Sequence, residues 1–383
     1  MRQETDTGPD QVRHEARIFG LGWILQAGRD LIIHLAVDFK PLVLAVAAAA
    51  LIAGGGWATV NWLIPALSPA YKTQFLVDAS ADTADITGAL ETAVSNSGDD
   101  DALGLRSFGG ECGRDGNTTR LVDFGTGNRS RIADAAGRMP AGGRPTMVKG
   151  IVEAAGDFSG FWPLRATQVN RVIVVTRHGV DACDAEYAED EIRQRIASAG
   201  LKIQFRLVGY QVPEDQRDRL GGIASAAGAP EPVFTETPEQ LRTALDWLTN
   251  TEPVRTNAYE VIRILDPTAK RVDAAVKAIG AGRLDVAERE LDRAGTGDAD
   301  AQLKVLADRA RTPATRDIHR KAVGLRDLQK ELIPAARDLL DAARSGTVAA
   351  TDYTAIADRY NDEVDAMNRA LAALRLTLPK APR

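Results

Sequence analysis

Between residues 71 and 248, short apolar runs rich in β-branched side chains alternate with longer amphipathic stretches, and few folds accommodate that alternation. The runs are KTQFLVDAS, ALGLRSF, TTRLVDF, NRVIVVTR and KIQFRLVG. Most are separated by ITGALETAVSNS, RSRIADAAGRM, TMVKGIVEAAGDF or DEIRQRIASAG. Short β-branched runs suit buried strands, and apolar residues recurring every three or four positions suit helices. The pattern therefore predicts an α/β fold with a doubly wound, mostly parallel, Rossmann-like sheet. Ligands of such sheets sit beyond the carboxyl ends of the strands. The residues to inspect are Asp78 with Ser80 and Asp82, the loop 109–116, the turn Gly142-Gly143-Arg144-Pro145-Thr146, and Arg177-His178-Gly179.

The flanking segments read differently. Residues 41–67, PLVLAVAAAALIAGGGWATVNWLIPAL, carry no charge over about 27 positions, where about 20 are enough to cross a bilayer core. They predict a transmembrane helix with Trp57 and Trp62 toward one interface. About forty residues precede it, too many for a cleaved leader, so the anchor is expected to stay. Arg2, Arg13, Arg17, Arg29 and Lys40 lie before it and Lys72 after it, which predicts a cell-membrane protein with a cytoplasmic N-terminus, residues 1–40, and extracytoplasmic domains. Residues 18–39, with two apolar patches around Arg29-Asp30, read as an amphipathic helix on the inner leaflet; a second membrane segment forming a hairpin is the competing reading.

The α/β domain is expected over residues 71–250, and beyond them strand signals vanish. An all-α module is expected over 251–383, with short helices broken at 280–282 and 295–297. Leu325, Leu328, Leu332, Ala335, Leu339 and Ala342 keep a three-four spacing, as do Tyr353, Ile356, Tyr360, Val364, Met367, Leu371 and Leu374. These stripes predict an antiparallel helical hairpin packed internally, kinked at Pro334.

Lysine and arginine number 47 against 53 acidic residues, a net charge of −6, and the two signs are interspersed. No basic stripe is left to track a phosphate backbone, which excludes nucleic acid as the expected partner. The two cysteines and four histidines are dispersed, so neither a CxxC motif nor a sequence-local zinc site is present.

Residues from about 71 to 248 resemble a von Willebrand factor type A (vWA) domain of the bacterial, cysteine-bearing kind. The resemblance is carried, in family order, by a strand ending in Asp78-x-Ser80, LGLRSFGGEC, RIADAAGRMPAGGRPTMVKGIVEAAGDF, RVIVVTRHGVDAC and GGIASAAGAPEPVFTETPEQLRTAL. It implies a metal ion-dependent adhesion site built from D-x-S-x-S on the first loop, a threonine on the second and an aspartate on the third, holding magnesium or a similar ion. Asp78 and Ser80 match, and Asp82 replaces the second serine. Arg144, two positions before Thr146, stands where the threonine belongs, and Arg177 where the aspartate belongs. A guanidinium donates without accepting, so it cannot ligate a cation. The expectation is a lost metal site with no cofactor, magnesium being disfavoured, and with Arg144 and Arg177 paired to Asp78 and Asp82. Two readings compete. In one the arginines turn to solvent while Asp78 and Ser80 cap a helix; in the other a shifted site uses Asp82, Thr146 and Asp181.

Cys112 and Cys183 both follow carboxyl-end loops and so share a rim that the expected topology places outside the cell, which favours a disulfide. The competing chemistry makes Cys112 a nucleophile, His178 its base and Asp181 the orienting group. The expected function is non-enzymatic: a single-pass membrane protein whose vWA-like domain recognises a protein partner. The alternatives are a scaffold acting mainly through its C-terminal helices and, more remotely, a cysteine hydrolase.

Overall fold

The computed structural model describes residues 71–114, 116–158, 169–183, 188–199, 202–295, 298–349 and 351–378. The expected membrane helix at 41–67, the segment 18–39 and the N-terminal basic residues lie outside them. Among the described residues no helix is long and apolar enough to cross a membrane. They form two units, an α/β unit of residues 71–253 with 376–378, and a helical unit, Val254–Arg375.

Each apolar run becomes a strand. They are β1 (Tyr71–Asp78), β2 (Ala102–Phe108), β3 (Thr118–Gly125), β4 (Val169–Thr176), β5 (Ile203–Tyr210) and the short β6 (Val233–Thr235), in the order β3-β2-β1-β4-β5-β6. All neighbours are parallel except β2 and β3, which are antiparallel. Helices α1 (Ala84–Ser95), α2 (Arg129–Ala136), α3 (Met147–Gly156), α4 (Ala188–Ala199), α5 (Glu214–Ala226) and α6 (Pro238–Asp246) fill the connections.

The central strands are apolar without a break because both sheet faces are covered. Successive side chains of β1 show the division: Phe75 and Val77 join a cluster with Ile86, Leu90 and Leu241, whereas Leu76 packs with Met147, Ile151 and Phe205 on the other face. Edge strand β3 is half exposed and carries charge, which discourages pairing with another chain. Its neighbour β2 buries Arg106, whose Nε and Nη2 each donate to the Asp157 carboxylate at 2.8 Å. That two-pronged contact keeps an interior guanidinium neutralised. Glu252 does the same between β4 and β5: Arg206 Nε donates to it at 2.7 Å, and Arg171 Nη2 lies 3.7 Å from its other oxygen.

Helix α6 begins at Thr237, whose side chain accepts from the backbone of Gln240, with Pro238 supplying the first helical φ. Thr237→Ala should therefore lower stability by about 1 kcal/mol, read as a shifted urea midpoint with an unchanged slope. An unchanged midpoint would show that the cap contributes nothing.

A π-helical turn, Trp247–Thr251, leads into α7 (Glu252–Gly280), so the boundary between the units falls within a continuous helical stretch. The helical unit continues with α8 (Leu284–Arg293), α9 (Asp300–Arg309), α10 (Pro313–Ser345) and α11 (Tyr353–Ala373). Both expected stripes face inward. Leu325, Leu328, Leu332, Ala335 and Ala342 are buried, as are Tyr353, Tyr360, Val364, Met367 and Leu371, while Leu339, Ile356 and Leu374 are partly buried. Arg359 pairs with Glu331 at 3.1 Å and Glu363 lies beside Gly324, so numbering falls along one helix as it rises along the other, as an antiparallel hairpin requires. Helix α10 runs through Pro334 as one span of 33 residues.

Candidate functional site at the carboxyl-end rim

The strand order reverses direction between β1 and β4, because the chain moves outward from β1 to β2 in one sense and from β4 to β5 in the other. The carboxyl ends of these two strands therefore part into a crevice, the usual ligand position of an open α/β sheet. Register places Asp78 opposite Phe108, Val77 opposite Val175, and Thr176 opposite Gly209, bringing the polar residues that follow each strand to one rim.

Asp78 is 1% exposed, and both of its oxygens are taken. Oδ1 accepts from the Ser80 backbone at 2.9 Å and the Ser80 hydroxyl at 2.5 Å. Oδ2 accepts from the Thr176 hydroxyl at 3.0 Å, the Arg177 backbone at 3.2 Å and the His178 ring at 2.9 Å. Burial pushes its pKa up, but the hydrogen bonds from His178 and Ser80 outweigh burial, and the carboxyl group ends below its ordinary value. An ionised carboxylate only accepts, so His178 places a proton on Nδ1.

The two arginines do not take the positions expected of them. The Arg177 guanidinium lies over the Tyr210 ring at 4.5 Å, donates to Gln211 Oε1 at 2.6 Å and stands 3.7 Å from Asp85. Its backbone N–H, not its charge, reaches Asp78. Arg177 and His178 both follow the end of β4, and the imidazole of His178, 2.9 Å from Asp78, occupies the space against the carboxylate. Arg144 is exposed, with Nη1 3.9 Å from Cys112 Sγ, because its loop is directed by its backbone, which exchanges hydrogen bonds with Gly110 at 2.8 and 3.0 Å. The solvent-facing alternative thus describes Arg144 but not Arg177. Asp82 is exposed and accepts from the Ala84 backbone at 3.1 Å, while the N-cap of α1 is Thr83, so neither Asp78 nor Ser80 caps that helix.

The shifted metal site is not assembled. Thr146 is buried and donates to the Asn117 carbonyl at 2.8 Å, while Asp181 accepts from the backbones of Val148 at 2.7 Å and Cys183 at 2.8 Å. Among the described residues no three His, Cys, Asp or Glu side chains converge as metal ligands. Five donors point at the Asp78 carboxylate in this arrangement, and two of them, the Ser80 and Thr176 hydroxyls, are also oxygen acceptors.

Cys112 and Cys183 are joined in a disulfide with their Cα atoms 5.4 Å apart. The bond leaves Cys112 without the free thiol that the hydrolase reading needs. It is one of several ties across the rim. Ala79 N donates to Phe108 O, Gly142 N to Ala79 O, Gly109 N to Asn117 O and Ala182 N to Pro145 O, at 2.8 to 3.0 Å. Gly143, at φ +90°, lets its loop pass close to Gly110, since a Cβ there would stand 2.6 Å from Gly110 Cα. Gln211, at the end of β5, is left-handed with φ 55°, a conformation a non-glycine residue adopts only under local constraint. Beside it Tyr210 donates to Asp85 at 2.6 Å, and burial together with that carboxylate pushes the phenol up to about 12.

Among solved structures the chain is similar to proximal thread matrix protein 1 from the mussel byssus, at 14% identity over 48% of this chain and 48% of that one, with a TM-score of 0.37. It is similar to a von Willebrand factor type A protein from Catenulispora acidiphila (17%, 47% and 42%, TM-score 0.33) and to the vWF domain of the type V pili tip protein Mfa5 from Porphyromonas gingivalis (10%, 48% and 95%, TM-score 0.36). The structural neighbours include vWA domains. The alignments span about half the length of the first two of these proteins, and at such identities they concern the fold alone. No family model and no curated protein matches the chain.

Of the polar groups around Asp78, His178 and Thr176 carry more of the geometry than their sequence signal suggested. Their positions at the end of an apolar run were the available clue. Gln211, Tyr210 and Asp85 had none, because their cluster forms only when β5 and α1 are brought to the same rim.

Proposed function

We propose that this is a non-enzymatic recognition protein, held in a membrane by residues 41–67 with its folded units outside the cytoplasm, which binds a protein partner through the carboxyl-end rim without a bridging cation. The observation that carries the reading is the lacing of the rim. Backbone hydrogen bonds and a disulfide join loops from four different connections, so the surface is ordered before a partner arrives. A preordered surface loses less conformational entropy on binding than a mobile one.

Metal independence is supported by the five protein donors on Asp78. The disulfide favours an oxidising compartment. Binding through this rim is favoured over docking by the C-terminal helices because both apolar stripes of α10 and α11 are consumed in the core of their own unit. Calorimetry of the full-length protein with magnesium or manganese is expected to give no saturable heat at micromolar concentration. Cross-linking to the partner in intact cells should persist under chelation. Micromolar binding of either ion, or loss of the cross-link on chelation, would overturn the metal-independent reading.

A further inference from the structure

The α/β unit holds a cavity of about 390 Å³ lined by Val180 and Asp181 of the loop after β4, Ala188 and Glu189 of α4, and Arg219 and Ile223 of α5. None of Asp78, Ser80, Thr176 and His178 lines it. The loop is seated directly on α5. Gly179 N donates to Gln216 Oε1 at 3.0 Å, and a Cβ at Gly179 would stand 2.0 Å from the Gln216 carbonyl oxygen.

The charges of the lining are unequal in their engagement. Asp181 is buried and accepts from the Val148 and Cys183 backbones, so its negative charge is fixed in place. Glu189 meets Arg193 only loosely, at 3.9 Å. Arg219 is exposed and has no ion pair or hydrogen bond among the described residues, Glu189 included. One cavity therefore carries a guanidinium and a carboxylate that do not neutralise each other. Their placement is local in origin. Arg219, Gly222 and Ile223 share a face of α5 through their three-four spacing, and a Cβ at Gly222 would stand 2.2 Å from Glu189 Oε1. The missing side chain at Gly222 is what lets the carboxylate of α4 lie across α5.

We propose that this cavity is a binding site for a free α-amino acid with a short apolar side chain. The Arg219 guanidinium takes the α-carboxylate and Glu189 takes the α-ammonium, each through charge-assisted hydrogen bonds. Asp181 adds negative charge that favours the ammonium. Val180, Ala188 and Ile223 supply the apolar contact. An anion alone would meet two carboxylates and a cation alone would meet Arg219, so the lining selects a ligand that carries both signs. The volume lies near the lower end of the about 300–1,000 Å³ usual for small-molecule sites, which suits a ligand of this size. This site does not depend on partner recognition at the rim.

The test titrates the full-length chain with L-valine by calorimetry, beside isobutylamine and isovalerate, which each keep one of its two charged groups. L-Valine is expected to bind saturably, and each analogue about tenfold more weakly or worse, as loss of a charge-assisted hydrogen bond implies. Arg219→Ala and Glu189→Gln, both on exposed side chains, should each weaken L-valine by a similar factor without moving the urea midpoint. Gly222→Ala should weaken it by displacing the Glu189 carboxylate, whereas Gly221→Ala, where a Cβ meets nothing within 4 Å, should leave it unchanged. The proposal is overturned by an absence of saturable heat with L-valine, by equal affinity for either analogue, or by L-valine binding that survives Arg219→Ala and Glu189→Gln undiminished. Any of these outcomes leaves the recognition reading standing.

Discussion

Asp78→Ala is expected to destabilise the α/β unit by about 3–5 kcal/mol, the range seen when a buried charge loses its counterpart and its partners are left unpaired. The loss comes from the donors: two backbone N–H groups, two hydroxyls and an imidazole N–H all face the vacated position. Asp78→Asn should be nearly as costly despite its equal size, since its amide turns a donor toward donors. The same carboxylate makes a pH prediction. Its folded pKa lies below the ordinary 3.8, so its contribution is fully present above that value and is lost as pH falls through the lower folded one. Denaturant midpoints followed down from pH 7 should thus fall steeply for the wild type in strong acid, and less steeply for Asp78→Asn. Parallel profiles, or an Asp78→Ala loss under about 1 kcal/mol, would contradict the description of Asp78 as a saturated internal acceptor.

Removing the disulfide, by Cys112→Ser with Cys183→Ser or by reduction, is expected to cost about 4 kcal/mol on the chain-entropy account. The linked cysteines are 71 residues apart, so the bond removes many open conformations from the unfolded chain. Little of the effect should arise in the folded protein, where Ala182 N still donates to Pro145 O and Arg144 still pairs with Gly110 through the backbone. The signature is a lower urea midpoint with a larger slope for the reduced protein, whose unfolded state exposes more surface. Thiol counting under denaturing, non-reducing conditions should find no free thiol. Two free thiols, or equal midpoints before and after reduction, would remove the bond from the account.

The sheet was legible from sequence because its signal is local. KTQFLVDAS and NRVIVVTR are each long enough to span the sheet, and each ends in a polar residue where the strand meets its loop. The helical stripes were legible for the same reason, and the structure buries them where the spacing placed them. The partners of Arg144 and Arg177 were not. An arginine side chain is long, and several acceptors lie within its reach; which one it takes depends on what occupies the space between them. At Asp78 that space is filled by the shorter side chain of His178, already engaged at 2.9 Å.

The amino-acid sequence by itself determined the alternation of strand and helix, the gathering of polar residues at the strand ends, the uncharged run at 41–67 and the inward faces of the last two helices, since each is written in the spacing of neighbouring residues. Only the tertiary structure decided which donor meets which acceptor at the rim. Hydrogen bonds are short and directional, so a displacement of a side chain by the width of one atom reassigns them, and residues a hundred positions apart, such as Asp78 and His178, are brought within that tolerance by the register of β1 against β4.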